Sequence, residues 1–262
     1  MPIDPSQYRV KLAETEEERL GAQRLRYRVF VEEMGAAASP EQRAVRREWD
    51  AFDPYFDHLI LVSRDPAIAD PLDRVVGVYR LMRRSAARAG RGFYGAGEYD
   101  LGLIEASPRE SVELGRSCVA PEHRGGPAMH LLWSGLADYV LARDIEILFG
   151  VASFPGTDPA PLAEPLAWLH HTHLAPPELR VRARPERRLD MDLMPPEAID
   201  PARALRAIPP LIKAYLRLGG AVGDGAWIDR AFNTIDVCLI MDTARMKARH
   251  RDFYARNRIA AG

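Results

Sequence analysis

Cysteine is scarce in this sequence of 262 residues, in which only Cys118 and Cys238 occur. Both stand in apolar, strand-like segments. Such cysteines are usually small buried residues of proteins in a reducing compartment, and two of them do not indicate a disulfide framework. We therefore expect two structural thiols. A catalytic thiolate at Cys118 is the less favoured alternative.

Long hydrophobic runs are lacking as well. No apolar segment approaches the roughly 20 residues that a helix needs to cross a bilayer. The segment at positions 1–19, MPIDPSQYRVKLAETEEER, also lacks the apolar core of a secretory signal. We expect a cytoplasmic protein, and peripheral contact with the inner face of the cytoplasmic membrane remains open.

The sequence also lacks an excess of charge of one sign. The chain has 36 basic and 37 acidic residues, which gives a formal net charge of −1. A protein without a positive field has no general attraction to nucleic acid, so we expect no such partner. Nearly all basic residues are arginine, which suits the binding of carboxylates and phosphates, although a codon bias produces the same skew.

Hydrophobic periodicity predicts alternating strands and helices with no repeat and no linker. This pattern indicates one α/β (α+β) domain over residues 8–254, with a mixed, mainly antiparallel sheet flanked by helices and with tails at 1–7 and 255–262. We expect irregular chain at 36–57 and 86–102 and an exposed, arginine-rich excursion at 179–194. Helices are predicted at 14–34, from Pro127 onwards, within 158–174 and at 209–218, and strands at 58–64, 74–83, 111–119, 146–153 and 235–242.

The strand at 111–119, SVELGRSCV, carries two charged residues in an apolar context. Strict pleating places Glu113 and Arg116 on opposite faces. Gly115 between them is a position for a bulge that leaves a backbone N–H unpaired. A carboxylate beside a free N–H suits proton transfer and stabilisation of an oxyanion. An ion pair at a strand end is the alternative.

The turn HRGGPA at 123–128 follows this strand and leads into a helix. Gly125 and Gly126 allow backbone N–H groups to approach an anion, and the helix N-terminus adds partial positive charge. Arg124 supplies a further contact. Together with the strand, the turn predicts a phosphate site next to a site of proton transfer.

The strand, turn and helix resemble the acyl-donor-binding core of the GNAT superfamily of N-acyltransferases. His123 stands where that superfamily usually has Gln or Arg. Four segments also resemble the acyl-homoserine-lactone synthases in order and spacing: LRYRVFVEEMG (25–35), EWDAFD (48–53), GVYRL (77–81) and ELGRS (113–117). Residues on this shared pattern are Arg26, Phe30, Glu48, Asp50, Asp53, Arg80, Glu113 and Arg116.

Over about residues 8–254, the chain resembles the ornithine N-acyltransferases that form lyso-ornithine lipid. The segment PPLIKAYLRLGGAVGDGAWIDRAFNTIDVCLIMDT carries much of this resemblance. It implies a GNAT-like fold and transfer of a 3-hydroxyacyl group from acyl carrier protein to the α-amine of L-ornithine. The donor is then acyl-phosphopantetheine on its carrier, so no separate cofactor is expected. The alternatives are another acceptor such as glutamine, an acyl-homoserine-lactone synthase, or a non-catalytic module that binds acyl carrier protein.

The resemblance also implies roles for single residues. Glu113 is the first choice of proton acceptor, with Asp50 and Glu48 as alternatives, and a backbone N–H near Ser117–Val119 would hold the oxyanion. Arg80 or Arg116 would bind the ornithine carboxylate, and Asp50 or Asp53 the side-chain ammonium; ion pairs that order the 36–57 segment are the alternative for each. We assign catalysis to Glu113, Arg116, Asp50 and Ser117, substrate binding to Arg26, Phe30, Glu48, Asp53 and Arg80, and donor binding to His123, Arg124, Gly125, Gly126 and Ala128.

Acyl carrier protein is acidic, so a basic docking face is expected on this chain. The two candidates are the cluster Arg83, Arg84, Arg88 and Arg91 and the cluster Arg180, Arg182, Arg184, Arg187 and Arg188. The segment HHTH at 170–173 offers metal ligands, but no partner for it is evident on other elements. We therefore predict no metal.

Overall fold

The computed structural model describes residues 5–245. The β-strands are β1 (Tyr8–Leu12), β2 (Asp57–Ser63), β3 (Val75–Arg83), β4 (Tyr99–Asp100), β5 (Ser111–Val119), β6 (Ile147–Pro155), β7 (Arg182–Ala183), β8 (Arg188–Leu189), β9 (Ala221–Val222), β10 (Ala226–Asp229) and β11 (Thr234–Asp242). The α-helices are α1 (Glu16–Arg26), α2 (Pro40–Val45), α3 (Arg84–Ala89), α4 (Gly102–Ala106), α5 (Ala128–Leu141), α6 (Ala163–His173), α7 (Pro201–Ala207) and α8 (Pro210–Arg217). A π-helix, Tyr27–Glu33, follows α1 directly.

The described residues group into two compact units, 5–91 with 114–144 and 92–113 with 145–245, here called the N-terminal and C-terminal units. In the N-terminal unit, β1, β2 and β3 form an antiparallel meander. Helix α5 packs on the face of this meander that carries Leu59 and Gly77. Its Gly135 lies so close to Val10 that a β-carbon there would overlap the valine side chain.

In the C-terminal unit, β6 pairs antiparallel with the whole of β11, and β11 pairs with β10 in a hairpin. Residues Ser111–Glu113 at the start of β5 pair in parallel with Ile147–Phe149 of β6. Strand β5 belongs to this unit up to Glu113 and to the N-terminal unit from Leu114. The predicted mixed, mainly antiparallel sheet with flanking helices is thereby confirmed.

Short elements account for most differences from the sequence-based expectations. The 36–57 segment contains α2, which begins at a capping box of Ser39 and Gln42 rather than at an apolar stripe. Strand β1 was missed, and α3 and β4 occupy part of the predicted loop at 86–102. The arginine-rich segment at 179–194 includes β7 and β8 and buries Val181 and Met191, so it is less exposed than expected.

Organisation as a single domain over 8–254 stays a prediction. Of the predicted tails, positions 1–4 and 255–262 lie outside the described residues, as does the end of the predicted domain at 246–254. Within 5–245, every helix is too short or too polar to pass through a lipid bilayer.

Candidate active site

Strand β5 contains the predicted irregularity. Arg116 has φ +51°, a left-handed conformation that costs a non-glycine residue on the order of 1–3 kcal/mol. The irregular residue is therefore the one after Gly115. In this conformation the Arg116 guanidinium lies 3.4 Å from Glu48 Oε1 and 3.5 Å from Asp50 Oδ2. Such strain persists only where the surrounding structure fixes the conformation.

Two further arginines complete a buried network in the N-terminal unit. Arg26 Nε lies 2.6 Å from Glu48 Oε2, and Arg26 Nη2 lies 2.6 Å from Asp53 Oδ2. Arg80 Nη1 donates to the Asp53 carboxylate at 2.6 Å and to Asp50 at 2.9 Å. Both guanidinium side chains are 0% exposed. The end of α1, strand β3 and the 48–53 segment supply these residues, so the network connects the three elements.

The charges of this network balance, because three arginines face three carboxylates. Burial alone would raise the pKa of Asp53 and that of Glu48. The charge of Arg26 together with those of the neighbouring arginines outweighs burial at both, and both pKa values fall below their usual range. Removing one partner from such a buried pair typically costs about 3–5 kcal/mol, because an uncompensated charge remains.

His58 was missed by the sequence analysis, yet it contacts this network. It pairs with Arg80 across β2 and β3, and its Nε2 lies 3.3 Å from the backbone oxygen of Asp53. Burial first, and then the charge of Arg26, lower the pKa of His58 to about 4. The imidazole is therefore neutral at pH 7 and donates to the carbonyl. Phe56 was missed too, and its ring lies 4.2 Å below the Arg80 guanidinium.

The structure thus brings together six of the predicted site residues: Arg26, Glu48, Asp50, Asp53, Arg80 and Arg116. Both oxygens of Asp53 are occupied by Arg26 and Arg80, which favours the alternative that it orders the 48–53 segment. Phe30 lies half-buried in the π-helix. The substrate roles of these residues stay predictions.

Glu113 occupies a separate environment in the C-terminal unit. Its side chain is buried, and its two carboxylate oxygens accept hydrogen bonds from the N–H groups of Tyr94 (2.7 Å) and Gly95 (2.5 Å). A β-carbon on Gly95 would lie 2.8 Å from Glu113 Oε1, so glycine is required for this approach. The carboxylate is therefore held in one orientation.

Ser117 and Cys118 follow on β5. Ser117 is half-buried, and within residues 5–245 its hydroxyl has no hydrogen-bond partner. Burial raises the pKa of the Cys118 thiol to about 12. A thiol with this pKa is protonated at pH 7, which favours a structural role over a nucleophilic one.

The predicted donor turn lies at the start of α5. His123 Nδ1 lies 2.8 Å from the Tyr8 hydroxyl. Arg124 forms a double hydrogen bond with Glu33 at 2.6 and 2.7 Å and also donates to the backbone oxygen of Val119. Gly125 has φ +73° and is exposed, as the turn requires. Gly126 is half-buried, and Ala128 rather than Pro127 is the first helical residue.

Two groups of potential metal ligands occur among the described residues. His170 and His171 lie with Asp192, whose carboxylate is 3.2 Å from His171 Nε2. No partner for these histidines was expected on another element, and that expectation was wrong because the 190–194 segment folds back over the end of α6. The second group consists of Glu98, Asp229 and Asp236. The prediction that the protein binds no metal stays a prediction.

The amino-acid sequence is similar to those of known acyltransferases. Residues 25–134 match the family described as "Acetyltransferase (GNAT) domain". An L-ornithine N(alpha)-acyltransferase of Rhodobacter capsulatus is 57% identical over 257 residues, which cover 98% of each chain. Its counterpart in Rhizobium meliloti is 45% identical over 93% of this chain and 83% of the relative.

Among solved structures, an N-acyl amino acid synthase from uncultured soil microbes superposes with a TM-score of 0.51. The match covers 91% of this chain and 92% of that one at 11% identity. At this identity the similarity concerns the fold alone. Together with the match of residues 25–134 to the GNAT domain, it confirms the GNAT-like fold that the sequence predicted.

Proposed function

Since the chain belongs to the L-ornithine N(alpha)-acyltransferase family, as its 57% identity over 98% of the chain shows, we propose that it transfers a 3-hydroxyacyl group from acyl carrier protein to the α-amine of L-ornithine. The product is a lyso-ornithine lipid. The observation that carries this proposal is the similarity to this family over nearly the full length of the chain. The buried carboxylate of Glu113 in β5 is the group that we propose accepts the proton.

Acyl transfer to an amine needs a proton acceptor, because an ammonium has no lone pair with which to attack a thioester. Glu113 is our choice for this role, acting directly or through water. Its orientation is already fixed by the amides of Tyr94 and Gly95, so little reorganisation is needed when the amine arrives. The tetrahedral oxyanion would accept a hydrogen bond from a backbone N–H near Ser117–Val119.

Arg116 is our choice for binding the acceptor carboxylate. Its ion pairs, at 3.4 and 3.5 Å, are longer than those of Arg26 and Arg80. It is also the most exposed of the three arginines, at 10%. Arg116 can therefore turn towards a new carboxylate, whereas Arg26 and Arg80 hold the network in place. The paired acids Glu48, Asp50 and Asp53 orient these guanidinium groups.

The donor side of the proposal rests on the turn before α5. The thioester would arrive on the phosphopantetheine of acyl carrier protein, and the turn His123–Ala128 would contact its phosphate. Arg124 is held by Glu33, and Gly125 has the conformation that lets amides face an anion. No further cofactor is needed for this reaction. We also propose a cytoplasmic location, because acyl carrier protein supplies acyl chains there, with the lipid product leaving to the adjacent membrane surface.

The test is an assay of the purified protein with 3-hydroxyacyl-carrier protein and L-ornithine, followed by mass spectrometry of the lipid product. We expect Glu113→Gln to lower kcat by about 10²–10⁴-fold, as loss of a general base does. We expect Arg116→Ala to raise the KM for ornithine by about tenfold or more.

Matched controls are Glu164→Gln and Arg203→Ala, which break an exposed ion pair elsewhere in the chain. Both should keep normal turnover. A panel of other amino acids, including glutamine, completes the assay. Normal turnover by Glu113→Gln, or a preference for another acceptor, would contradict the proposal.

A further inference from the structure

Two ion pairs join the π-helix Tyr27–Glu33 to the start of the predicted donor turn. Arg124 donates to both carboxylate oxygens of Glu33, at 2.6 and 2.7 Å. Arg28 Nη2 lies 2.9 Å from Glu122 Oε1. The signs alternate, since the π-helix supplies one cation and one anion and the chain at the turn supplies the other two. All four residues belong to the N-terminal unit.

The π-helix is the feature that brings Arg28 and Glu33 to one face. Hydrogen bonds in a π-helix join residues five apart, as where the amide of Met34 donates to the carbonyl of Val29 at 3.1 Å. Residues with this spacing therefore lie close together along the helix surface, whereas in an α-helix they diverge. Arg28 and Glu33 have this spacing, so both side chains reach the same short segment. A π-helix is rare and often marks a functional site.

Stability does not account for the two pairs. The side chains of Arg28, Glu122, Arg124 and Glu33 are between 34% and 52% exposed. Exposed ion pairs usually contribute little to the free energy of unfolding. Their effect on the electrostatics of the turn is larger, because the hydrogen bond and the charge of Glu33 raise the pKa of Arg124 and the charge of Glu122 raises it further.

The formal charges of these four residues cancel at the place where a phosphate would approach. Arg124 uses three of its five N–H groups, two on Glu33 and one on the backbone oxygen of Val119. An anion at the turn would be attracted by the amides near Gly125 and by the partial positive charge at the start of α5. These attractions suit a group with a single charge better than a group with several.

The two common forms of an activated acyl group differ in charge at this point. Phosphopantetheine on a carrier protein carries one phosphodiester, with a single negative charge. Coenzyme A carries a pyrophosphate and a further phosphate monoester, which alone adds nearly two charges at pH 7. Both donors end in the same thioester arm, so the arm does not distinguish them. The carboxylates of Glu33 and Glu122 repel the more highly charged donor more strongly, and repulsion of this kind gives specificity.

We propose that Glu33 and Glu122 are specificity-determining residues, which select an acyl donor on a carrier protein over acyl-coenzyme A by neutralising the two arginines at the donor turn. This inference rests on the proposed function, because it places the phosphate of the donor at this turn. Without the two carboxylates, Arg28 and Arg124 would be able to bind further phosphate groups, which arginine does in a bidentate manner.

The experiment measures kcat/KM for 3-hydroxyacyl-carrier protein and for the same acyl group on coenzyme A, with L-ornithine as the acceptor. In Glu33→Gln the ratio of the coenzyme A value to the carrier value should rise about tenfold. In the double variant with Glu122→Gln it should rise roughly 10- to 100-fold, because each substitution removes a repulsive charge and releases an arginine. The gain should diminish at high salt, since exposed charges are screened.

Glu32→Gln is the matched control. Glu32 is the neighbouring residue of the π-helix, but it pairs with Arg46, so the variant removes the same charge and leaves both pairs at the turn intact. Its donor ratio should equal that of the wild type. Glu33→Asp keeps the charge and should keep most of the preference for the carrier. Titration calorimetry with coenzyme A provides a readout without turnover, and its affinity should rise in the double variant in parallel with the ratio.

Thermal melts monitored by circular dichroism establish that each variant folds. An unchanged donor ratio in the folded double variant, with a wild type that uses the carrier-bound donor, would overturn this inference alone. An equal loss of activity with both donors would do the same, because the acids would then only hold the turn in place. A wild type that does not acylate ornithine would overturn the proposed function. The calorimetric titration would then decide the charge effect by itself, and equal affinities of the wild type and the double variant for coenzyme A would exclude it.

Discussion

At the scale of single residues, His58 shows how burial decides protonation. The charged groups that act on it are Arg26, Asp53 and Arg80, and the cost of burying a further charge has the largest effect on its state. The neutral imidazole pairs across the strands with Arg80 and contacts the backbone of Asp53. We infer that His58 supports the network without adding charge to it.

His58 should make stability depend on pH. Its pKa is about 4 in the folded protein and about 6.5 in the unfolded chain, so the unfolded chain binds more protons between these values. The contribution of His58 to the free energy of unfolding is complete above pH 6.5 and is lost as the pH falls towards 4. Urea denaturation should show that, between pH 7 and pH 4.5, the free energy of unfolding falls by about 2–3 kcal/mol more in the wild type than in His58→Gln.

The exposed His130 provides the control for this prediction, because His130→Gln should lose as much stability as the wild type. Equal losses in the wild type and in His58→Gln would show that the imidazole is not the group responsible. The buried carboxylates Glu48 and Asp53 act in a lower range, because their folded pKa values lie below those of the unfolded chain.

The sequence revealed most of these residues but not their partners. Arg26, Glu48, Asp53, Arg80 and Arg116 were identified because they fall on the motif pattern that the sequence shares with the acyl-homoserine-lactone synthases. His58 belongs to the same site, yet in the sequence it is only one polar residue before an apolar run. Its role follows from the β2–β3 register, which no local pattern specifies. The group Glu98, Asp229 and Asp236 was missed for the same reason, since Glu98 is far in sequence from the β10–β11 hairpin that carries the other two.

At the scale of elements, the approach of α5 to the meander depends on small residues. Gly135 lies over Val10 of β1, and Leu132 lies over Gly77 of β3. Close contact of helix and sheet buries Leu132 completely. The apolar stripe of α5 could be predicted from the sequence, because a period of 3.6 residues is local information. The contacts of Gly135 with Val10 and of Gly77 with Leu132 could not be predicted from the sequence.

Gly135→Ala should therefore destabilise the protein. The added methyl group overlaps the Val10 side chain, and overpacking of this kind costs about 1–3 kcal/mol, more than the gain of up to about 1 kcal/mol in helix propensity. Urea denaturation of a double-mutant cycle provides the control. Val10→Ala makes room for the methyl group, so Gly135→Ala should cost less in that background. Additive effects of the two substitutions would contradict the close packing.

At the scale of the whole molecule, the exposed charges indicate where an acidic carrier would dock. In the second basic cluster, Arg182 and Arg188 pair with Asp224, and Arg180 and Arg184 donate to backbone carbonyls. In the first cluster Arg84 is buried, but Arg88 and Arg91 at the end of α3 are exposed. Within the part of the chain that the structure describes, these two form no ion pair. We therefore propose Arg88 and Arg91 as the docking residues, although Arg187 of the second cluster is exposed as well.

Charge reversal at both positions, Arg88→Glu with Arg91→Glu, should raise the KM for acyl carrier protein roughly tenfold and leave the KM for ornithine unchanged. The activity of this variant should also depend less on salt, because screening acts on the attraction that it has lost. Arg182→Glu with Arg187→Glu is the matched control in the second cluster. If only the control variant loses affinity for the carrier, the docking face belongs to the second cluster.

The general fold could be predicted from the sequence to a large extent, because long strands and helices carry strong periodic patterns. Strands β2, β3, β5, β6 and β11 lie where they were expected within a few residues. Short strands such as β4, β7 and β9 were missed, since they exist only through pairing with distant segments. The resemblance of separated motifs to one enzyme family supplied the functional prediction that periodicity alone does not contain.

The central claim is acylation of the α-amine of ornithine, and one measurement tests it most directly. The purified protein is incubated with 3-hydroxyacyl-carrier protein and L-ornithine labelled with ¹⁵N at the α position, and the product is analysed by NMR and tandem mass spectrometry. We predict that the new amide contains the labelled nitrogen and that the distal amine stays free. A product acylated at the distal amine, or no acyl-ornithine at all, would contradict the account.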